Sequence, residues 1–252
     1  MLVITYSKAA ALEIERRFKA LELGGMNRAA FGTFHSVFFR MLRRKNGYDT
    51  GQILNDGERR TVVRQFLSQM EYMPDDETLS NLLGEMSLVR NEMHDLAYYH
   101  SNTIGAEDFR ELCRSYENYK AERGKIDFDD MLCHAYEMLK TESDQLNYWR
   151  GKYKYIMIDE FQDINKVQYE AVKLLAAPDN NLLVVGDDDQ SIYRFRGSRP
   201  EFLLNFPTDF PDTAQVTLTT NYRSTNEIIS YANSAIAPNK LRYGKIIVGT
   251  EK

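Results

Sequence analysis

Two short apolar runs, each ending in acidic side chains, constrain the fold of this chain more than any other feature. The first run, Ile156–Ile158, leads directly into Asp159 and Glu160, and the second, residues 182–185, leads into Gly-Asp-Asp-Asp-Gln. Continuous apolar strands are typical of a parallel sheet covered by helices, where ligands bind beyond the carboxyl ends of the strands. Adjacent carboxylates at such an edge indicate a divalent metal and phosphate chemistry. The sequence therefore predicts an α/β fold with a polar site at one edge of its sheet.

Composition narrows the class of protein. The chain has 252 residues, 43% of them hydrophobic, which is enough to bury a core and to form one large or two smaller domains. The two cysteines, Cys113 and Cys133, offer neither a disulfide framework nor the spacing of a zinc site. No apolar run approaches membrane-spanning length, so we expect a soluble cytoplasmic protein without a membrane partner.

Charge is distributed unevenly along the chain. The net charge of -5 argues weakly against a protein that binds nucleic acid over most of its surface. Residues 1–52, however, carry nine basic and four acidic side chains. We therefore expect any nucleic-acid track to be local and enriched near the amino terminus.

Hydrophobic periodicity predicts the order of the elements. Residues 2–6 predict a buried strand followed at once by a helix, and residues 31–36 predict a second strand-to-helix corner. From about residue 53 to residue 123 the pattern is mainly helical and acidic, which indicates an inserted helical subdomain. The acids of residues 127–130 favour a capped helix start over a metal site. Residues 216–218 (Val-Thr-Leu) are a further strand candidate.

Six segments, in order along the chain, resemble sequence motifs of the superfamily 1 DNA helicases of the UvrD/Rep type. Residues 159–165 (Asp-Glu-Phe-Gln-Asp-Ile-Asn), 185–197 (Val-Gly-Asp-Asp-Asp-Gln-Ser-Ile-Tyr-Arg-Phe-Arg-Gly) and 221–225 (Asn-Tyr-Arg-Ser-Thr) resemble motifs II, III and IV. Residues 5–11, 32–36 and 127–130 resemble three further motifs of that family. The resemblance spans nearly the whole chain, and six motifs in order are far more specific than any one alone.

The resemblance implies ATP and Mg²⁺ as cofactors. Asp159 would hold the magnesium ion, and Glu160, beside it at the metal, would act as the base or orienter of the attacking water. Gln162 would lie near the nucleotide. Without the resemblance, the two acids could also be explained as helix-capping residues, although the preceding strand argues against that.

Three more residues take nucleotide roles by the same resemblance. Gln190 would sense the γ-phosphate and couple it to DNA, because an amide can both donate and accept hydrogen bonds. Arg223 would reach the γ-phosphate from a second lobe, as an arginine finger does, and Tyr222 would stack on the adenine. On its own, Arg223 would be interpreted as an ordinary surface arginine.

The resemblance also implies single-stranded DNA, and junctions of single-stranded with duplex DNA, as partners. The aromatic side chains that would stack on bases are Tyr6, Tyr193 and Phe195, and the further DNA contacts are Thr33, His35 and Arg196. Stacking of this kind tolerates any base sequence, which suits 3′ to 5′ translocation driven by ATP. Considered alone, His35 would more often be a structural histidine.

For the fold, the resemblance implies a RecA-like parallel sheet of the P-loop NTPase type, incomplete at both ends. Residues 1–52 and 125–213 would form the first lobe, 53–124 an inserted all-helical subdomain, and 214–252 the start of a second lobe. No Gly-x-x-x-x-Gly-Lys-Ser/Thr loop and no later family motifs occur in the sequence. We therefore expect the chain alone neither to bind ATP tightly nor to hydrolyse it. Its unpaired strand edges would be completed by missing helicase segments or by another chain.

Other functions remain open from the sequence. The chain could be a non-catalytic DNA-binding or interaction module derived from a helicase, although the intact Asp159, Glu160, Gln190 and Arg223 favour a helicase. It could also be part of a helicase-nuclease. A two-carboxylate metal nuclease is disfavoured because no further acid or histidine cluster completes a metal site.

Overall fold

The computed structural model describes residues 1–21, 29–193 and 197–250. Its centre is a parallel sheet of four short strands, β1 (Leu2–Ile4), β2 (Ala30–Gly32), β3 (Ile156–Ile158) and β4 (Leu182–Val184), in the order β2-β1-β3-β4. Leu2 lies opposite both Ala30 and Ile156, and Ile156 lies opposite Leu182. Because every pairing is parallel, the carboxyl ends of all four strands meet at one edge.

Burial differs across the sheet. The side chains of β1 are all buried, as are Ile156 and Ile158 of β3. In β4, by contrast, Leu183 is 53% exposed, and Val185 just after it is 49% exposed. Among the described residues β4 pairs only with β3, so its outer edge is open.

Eleven α-helices accompany the strands in the described part of the chain. They are α1 (Lys8–Ala20), α2 (Phe34–Asn46), α3 (Asp56–Gln69), α4 (Asp76–Asn91), α5 (Ala106–Arg123), α6 (Phe128–Thr141), α7 (Ser143–Lys152), α8 (Lys166–Ala176), α9 (Glu201–Leu204), α10 (Phe206–Asp209) and α11 (Asn226–Ile236). Two further short strands, β5 (Thr220–Asn221) and β6 (Val248–Gly249), pair with each other in parallel. None of the described helices is both long and apolar enough to cross a membrane.

Polar caps fix where several helices begin. Thr33 and Ser36 form a capping box at the start of α2, and Asp127 and Asp130 form one at the start of α6. Such reciprocal bonds satisfy backbone N–H groups that the first helical turn leaves without partners. The predicted acidic helix start at residues 127–130 is therefore confirmed.

The helices α3, α4 and α5 form a helical segment beside the sheet. Two apolar clusters lie on either side of the junction between the sheet and this helical segment. The first joins the sheet to α2, α6, α7 and α8, and the second is built from α3, α4 and α5. The chain enters and leaves the helical segment side by side, since Ile53 bridges to Ile126 and the Leu54 N–H donates to the Ile126 carbonyl at 2.8 Å. A segment with its own apolar cluster and adjacent ends has the form of an insertion.

The strand predicted at residues 216–218 is wrong. Val216 is 82% exposed and Leu218 is 79% exposed, and the strand begins only at Thr220. A short apolar run becomes a strand only where a neighbouring strand satisfies its backbone. In the described chain, the pairing of β5 with β6 covers only Thr220 and Asn221.

Candidate functional site

Asp159 lies where the carboxyl ends of β1 and β3 meet. Its backbone N–H continues the sheet by donating to the Ile4 carbonyl at 2.9 Å. Thr5, the residue after β1, places its hydroxyl 3.4 Å from the Asp159 carboxylate. The parallel register of the two strands thus brings a hydroxyl and a carboxylate together from distant parts of the sequence.

Glu160 turns the chain sharply out of the sheet. Its backbone has a φ of 56° and a ψ of 44°, a left-handed conformation that costs a non-glycine residue about 1–2 kcal/mol. The turn is fixed by the Phe161 N–H, which donates to the Val185 carbonyl at 2.9 Å. The Glu160 carboxylate accepts a hydrogen bond from the Gln162 amide at 2.8 Å. Strained backbone held in this way is concentrated at functional sites.

Gln162 joins the two loops that follow β3 and β4. Its side chain is 1% exposed, and its amide oxygen accepts from the Asp187 N–H at 3.0 Å. A Cβ at Gly186 would lie 2.7 Å from that oxygen, so the close approach requires glycine there. Both ends of the Gln162 amide are therefore used inside the protein, and its predicted place near the nucleotide stays a prediction.

The acids after β3 carry a charge that a cation would neutralise. Burial, followed by the charge of Glu160, raises the pKa of Asp159 and raises that of Asp163 to about 6. Residues 1–21, 29–193 and 197–250 contain no group of three acid, histidine or cysteine side chains that could hold a metal alone. One or two carboxylates completed by phosphate oxygens and water is, however, the usual way in which Mg²⁺ is bound. The residues present fit a magnesium ion that arrives with a nucleotide.

The loop after β4 is held by two basic residues near the carboxyl end of the described chain, Arg242 and Lys245. The Gln190 amide donates to Asp187 at 2.6 Å. Arg242 forms a bidentate ion pair with Asp189, with nitrogen–oxygen distances of 2.8 and 2.6 Å. Lys245 contacts Asp187 and also lies 2.6 Å from a carboxylate oxygen of Asp188.

Four of the six predicted DNA residues line one cleft of about 640 Å³. The cleft is lined by Tyr6, Thr33, His35 and Tyr193 as well as by Asp159 and Glu160. The structure thus places four of the six predicted DNA contacts beside the predicted magnesium ligands. The other two, Phe195 and Arg196, lie outside the described residues.

Local contacts determine how these side chains are presented. The rings of Tyr6 and Tyr193 stack with centroids 5.1 Å apart. Thr33 is the cap of α2, and His35 packs edge-on against Phe128 at 5.7 Å. Burial lowers the pKa of His35, so the imidazole is neutral at pH 7 and can donate one hydrogen bond and accept another.

Tyr222 and Arg223 follow β5 and are not part of this cleft. Tyr222 is 77% exposed, and the Arg223 side chain is also exposed and has no ion pair with any described residue. The Arg223 backbone N–H donates to the Asn221 side chain at 2.8 Å, which shapes the turn after β5. Their nucleotide roles stay predictions.

Periodicity alone did not identify the contribution of the helical segment to the cleft. Arg59 and Arg60 of α3 line it, and Arg59 lies 3.1 Å from Asp129. A second buried group joins Lys120 to Asp127 at 3.2 Å and to Asp130 at 2.6 Å. The Arg59–Asp129 pair joins residues distant in sequence, and the only available signal was the density of acids at residues 127–130.

Comparison with known proteins agrees with this geometry. Residues 1–211 match the family described as UvrD/REP helicase N-terminal domain. The chain is 35% identical to YjcD of Bacillus subtilis, with 98% of this chain and 33% of that protein aligned. It is 32% identical to the ATP-dependent DNA helicase PcrA of Bacillus subtilis and to that of Staphylococcus aureus strain Mu50, with 97% of this chain and 34% of each protein aligned.

The chain spans about a third of the length of these relatives. The family match covers the sheet, the helical segment and the acidic edge, so the predicted α/β fold with a RecA-like parallel sheet is confirmed. The resemblance seen in the six motifs is confirmed as well. This chain belongs to the UvrD/Rep family of DNA helicases.

Proposed function

We propose that this chain is part of an ATP-dependent DNA helicase that moves 3′ to 5′ along single-stranded DNA. One observation carries the proposal: stacked aromatic rings and a pair of metal-suited carboxylates line the same cleft at the carboxyl edge of the sheet. Coupling of nucleotide chemistry to DNA movement needs the two sites to share structure. Here Thr5, which contacts Asp159, is the immediate neighbour of Tyr6.

In the nucleotide site, Asp159 would hold Mg²⁺, which supplies charge neutralisation at the phosphates when MgATP is bound. Glu160 would accept the proton of the attacking water or orient that water. Gln190 and Arg223 would contact the γ-phosphate as charge develops on it, while Tyr222 would stack on the adenine and Gln162 would support the loop. The roles of Asp159 and Glu160 are supported by their position directly after β3, at the carboxyl edge of the sheet.

In the DNA site, Tyr6 and Tyr193 would stack on successive bases, each contributing about 1–3 kcal/mol without regard to sequence. The hydroxyl of Thr33 and the neutral imidazole of His35 would supply hydrogen bonds to the strand. Phe195 and Arg196 would add a further stacking ring and a phosphate contact. A junction of single-stranded with duplex DNA is the natural substrate of such a track.

The helical segment at residues 53–124 would be an inserted subdomain within a first lobe made of residues 1–52 and 125–213. Residues 214–252 would begin a second lobe. A polypeptide of these 252 residues contains no Gly-x-x-x-x-Gly-Lys-Ser/Thr loop, whose amides and lysine cradle the nucleotide phosphates. We propose that this polypeptide on its own hydrolyses no ATP.

The test is ATP hydrolysis by the natural protein that carries this chain, with and without single-stranded DNA. We expect DNA to stimulate hydrolysis, and Asp159→Asn to abolish it by removing a magnesium ligand. Asp212→Asn, which changes an exposed aspartate far along the chain, is the matched control. DNA binding without any hydrolysis would instead support a non-catalytic module and contradict the proposal.

A further inference from the structure

The loop after β4 carries three aspartates, Asp187, Asp188 and Asp189. All three are held by one short segment near the end of the described chain, residues 242–247. Arg242 binds Asp189 through two nitrogen atoms, at 2.8 and 2.6 Å. The Tyr243 N–H donates to Asp188 at 2.8 Å, and Lys245 contacts the same carboxylate at 2.6 Å. The contact between Lys245 and Asp188 is well shielded, because their side chains are 10% and 2% exposed.

The segment is anchored on both sides of these contacts. The Tyr243 hydroxyl lies 2.9 Å from the Leu203 carbonyl in α9, beside the acidic loop. Toward the other end, the Ile247 carbonyl accepts from Asn233 of α11 at 3.2 Å, and β6 pairs with β5. The segment therefore links the loop that carries Gln190 to the unit that carries Tyr222 and Arg223.

Asp187 connects this segment to Gln190. One oxygen of Asp187 contacts Lys245, and the other accepts from the Gln190 amide at 2.6 Å. The Asp187 N–H is held in turn by the buried Gln162 at 3.0 Å. With its backbone and one oxygen fixed, Asp187 presents its second oxygen to Gln190 in a single orientation.

We propose that Arg242 and Lys245 are positioning residues for ATP hydrolysis. Their contacts with Asp187, Asp188 and Asp189, together called the clasp, hold the acidic loop after β4 and orient Gln190 through Asp187. The clasp also holds the unit that bears Arg223 against this loop. This inference rests on the proposed function, because it assigns Gln190 and Arg223 to the γ-phosphate. A displacement of a positioned group by about 1 Å can reduce a rate by about 100-fold, so loss of the clasp acts on turnover. Gln190 and Arg223 act on the γ-phosphate as charge develops on it, so loss of these contacts is expected to lower kcat by a larger factor than it changes the KM for ATP.

The first test is the kinetics of DNA-stimulated hydrolysis by the natural protein carrying this chain. We expect Lys245→Ala to lower kcat about 10- to 100-fold with KM for ATP changed less than about threefold. Lys245→Arg keeps the charge and is expected to retain activity within about threefold. Lys240→Ala, at an exposed lysine just before this segment, is the matched control and is expected to behave as wild type.

A charge exchange tests the ion pair between Arg242 and Asp189. Arg242→Glu places a negative charge against Asp189 and is expected to lower kcat, and Asp189→Arg added to it is expected to restore at least half of the lost activity. A merely structural role would lower thermal stability and all activities together, and the exchanged pair would not recover turnover selectively.

The second test needs no ATP. Hydrogen–deuterium exchange without nucleotide is expected to rise at residues 187–190 in Lys245→Ala and to stay unchanged in β1 and β3. If wild-type protein hydrolyses no ATP, the proposed function fails, while the exchange pattern still decides whether the clasp exists. Unchanged exchange at residues 187–190, an unchanged kcat in Lys245→Ala, or no rescue by Lys245→Arg would each overturn the inference.

Discussion

The rings of Tyr6 and Tyr193 lie face to face, with centroids 5.1 Å apart and planes inclined by 16°. A base inserted between them would need about 3.4 Å on each side, so the rings would have to separate to about 7 Å. The pair therefore occupies the space that a base would take. Opening of the pair is a local change in a cleft that also contains Asp159.

Removal of either ring is expected to weaken DNA binding. We expect Tyr193→Ala to cost about 1–3 kcal/mol in single-stranded DNA affinity, whatever the base sequence, and Tyr193→Phe to cost little. Tyr155→Ala is the control, because that exposed tyrosine lies at the opposite end of β3. Fluorescence anisotropy with labelled oligonucleotides measures the effect, and equal losses for Tyr193→Ala and Tyr155→Ala would contradict it.

The acidic edge predicts a particular pH dependence of stability. The pKa of Asp163 is raised to about 6 by burial and by Glu160, and one of its buried oxygens has no hydrogen-bond partner among the described residues. A raised carboxyl pKa means that the folded state holds its proton more tightly, so this contribution to stability is present at pH 4 and is lost as pH rises toward about 6.

Asp163→Asn is therefore expected to raise the free energy of unfolding above pH 6, by about 1 kcal/mol after allowance for solvent screening, and to have less effect near pH 4. Thermal melts between pH 4 and pH 7.5 measure this difference. Asp179→Asn, at an exposed aspartate, is the control. A gain of the same size at every pH would show that the charge of Asp163 is not the cause.

Lys120 neutralises two buried carboxylates between the helical segment and α6. Burial alone would raise the pKa of Asp127, yet Lys120 and Arg59 hold it below its ordinary value. Lys120→Met removes the ammonium and leaves Asp127 and Asp130 with less compensation, which we expect to cost about 3–5 kcal/mol in the free energy of unfolding. Urea denaturation measures it, with the exposed Lys140→Met as control. A loss below about 1 kcal/mol would mean that Arg59 and Arg90 suffice.

The open edge of β4 predicts self-association of a polypeptide of residues 1–252. Leu183 and Val185 are about half exposed beside backbone groups that no described strand pairs. Such edges recruit other strands, and an added charge suppresses this. We expect Leu183→Lys to shift the polypeptide toward monomer in light scattering, whereas Leu12→Lys on the exposed face of α1 has no such effect. An unchanged association state in Leu183→Lys would exclude β4 as the contact.

The strands and the helix starts were predictable because their signals are local. The run Ile156–Ile158 is continuously apolar and ends in acids, which already indicates a strand buried on both faces. The bridge of Gln162 to Asp187, and the contacts of Arg242 and Lys245, depend on how distant segments pack, and no periodicity encodes them. The strand predicted at Val216 and Leu218 was wrong for the same reason. A strand depends on a partner strand that the local sequence does not reveal.

Within the site, residue roles came from motif resemblance, and the structure supplied the geometry. Apolar runs ending in acids located Asp159 and Glu160 at the sheet edge, while the cleft shared with Tyr6 and Tyr193 became visible only in three dimensions. Arg60 of α3 also lines the cleft and was not predicted to, since a single arginine on a helix carries no distinguishing sequence pattern.

The most direct measurement is strand displacement by the natural protein carrying this chain, on duplexes with a 3′ or a 5′ single-stranded tail. We expect ATP-dependent unwinding of the 3′-tailed duplex alone. We also expect unwinding to fall at least about 100-fold in Glu160→Gln, which keeps the size of the side chain but removes the proposed base, with single-stranded DNA binding retained. Unwinding by Glu160→Gln at the wild-type rate, or DNA binding by wild-type protein with no unwinding of either duplex, would contradict it.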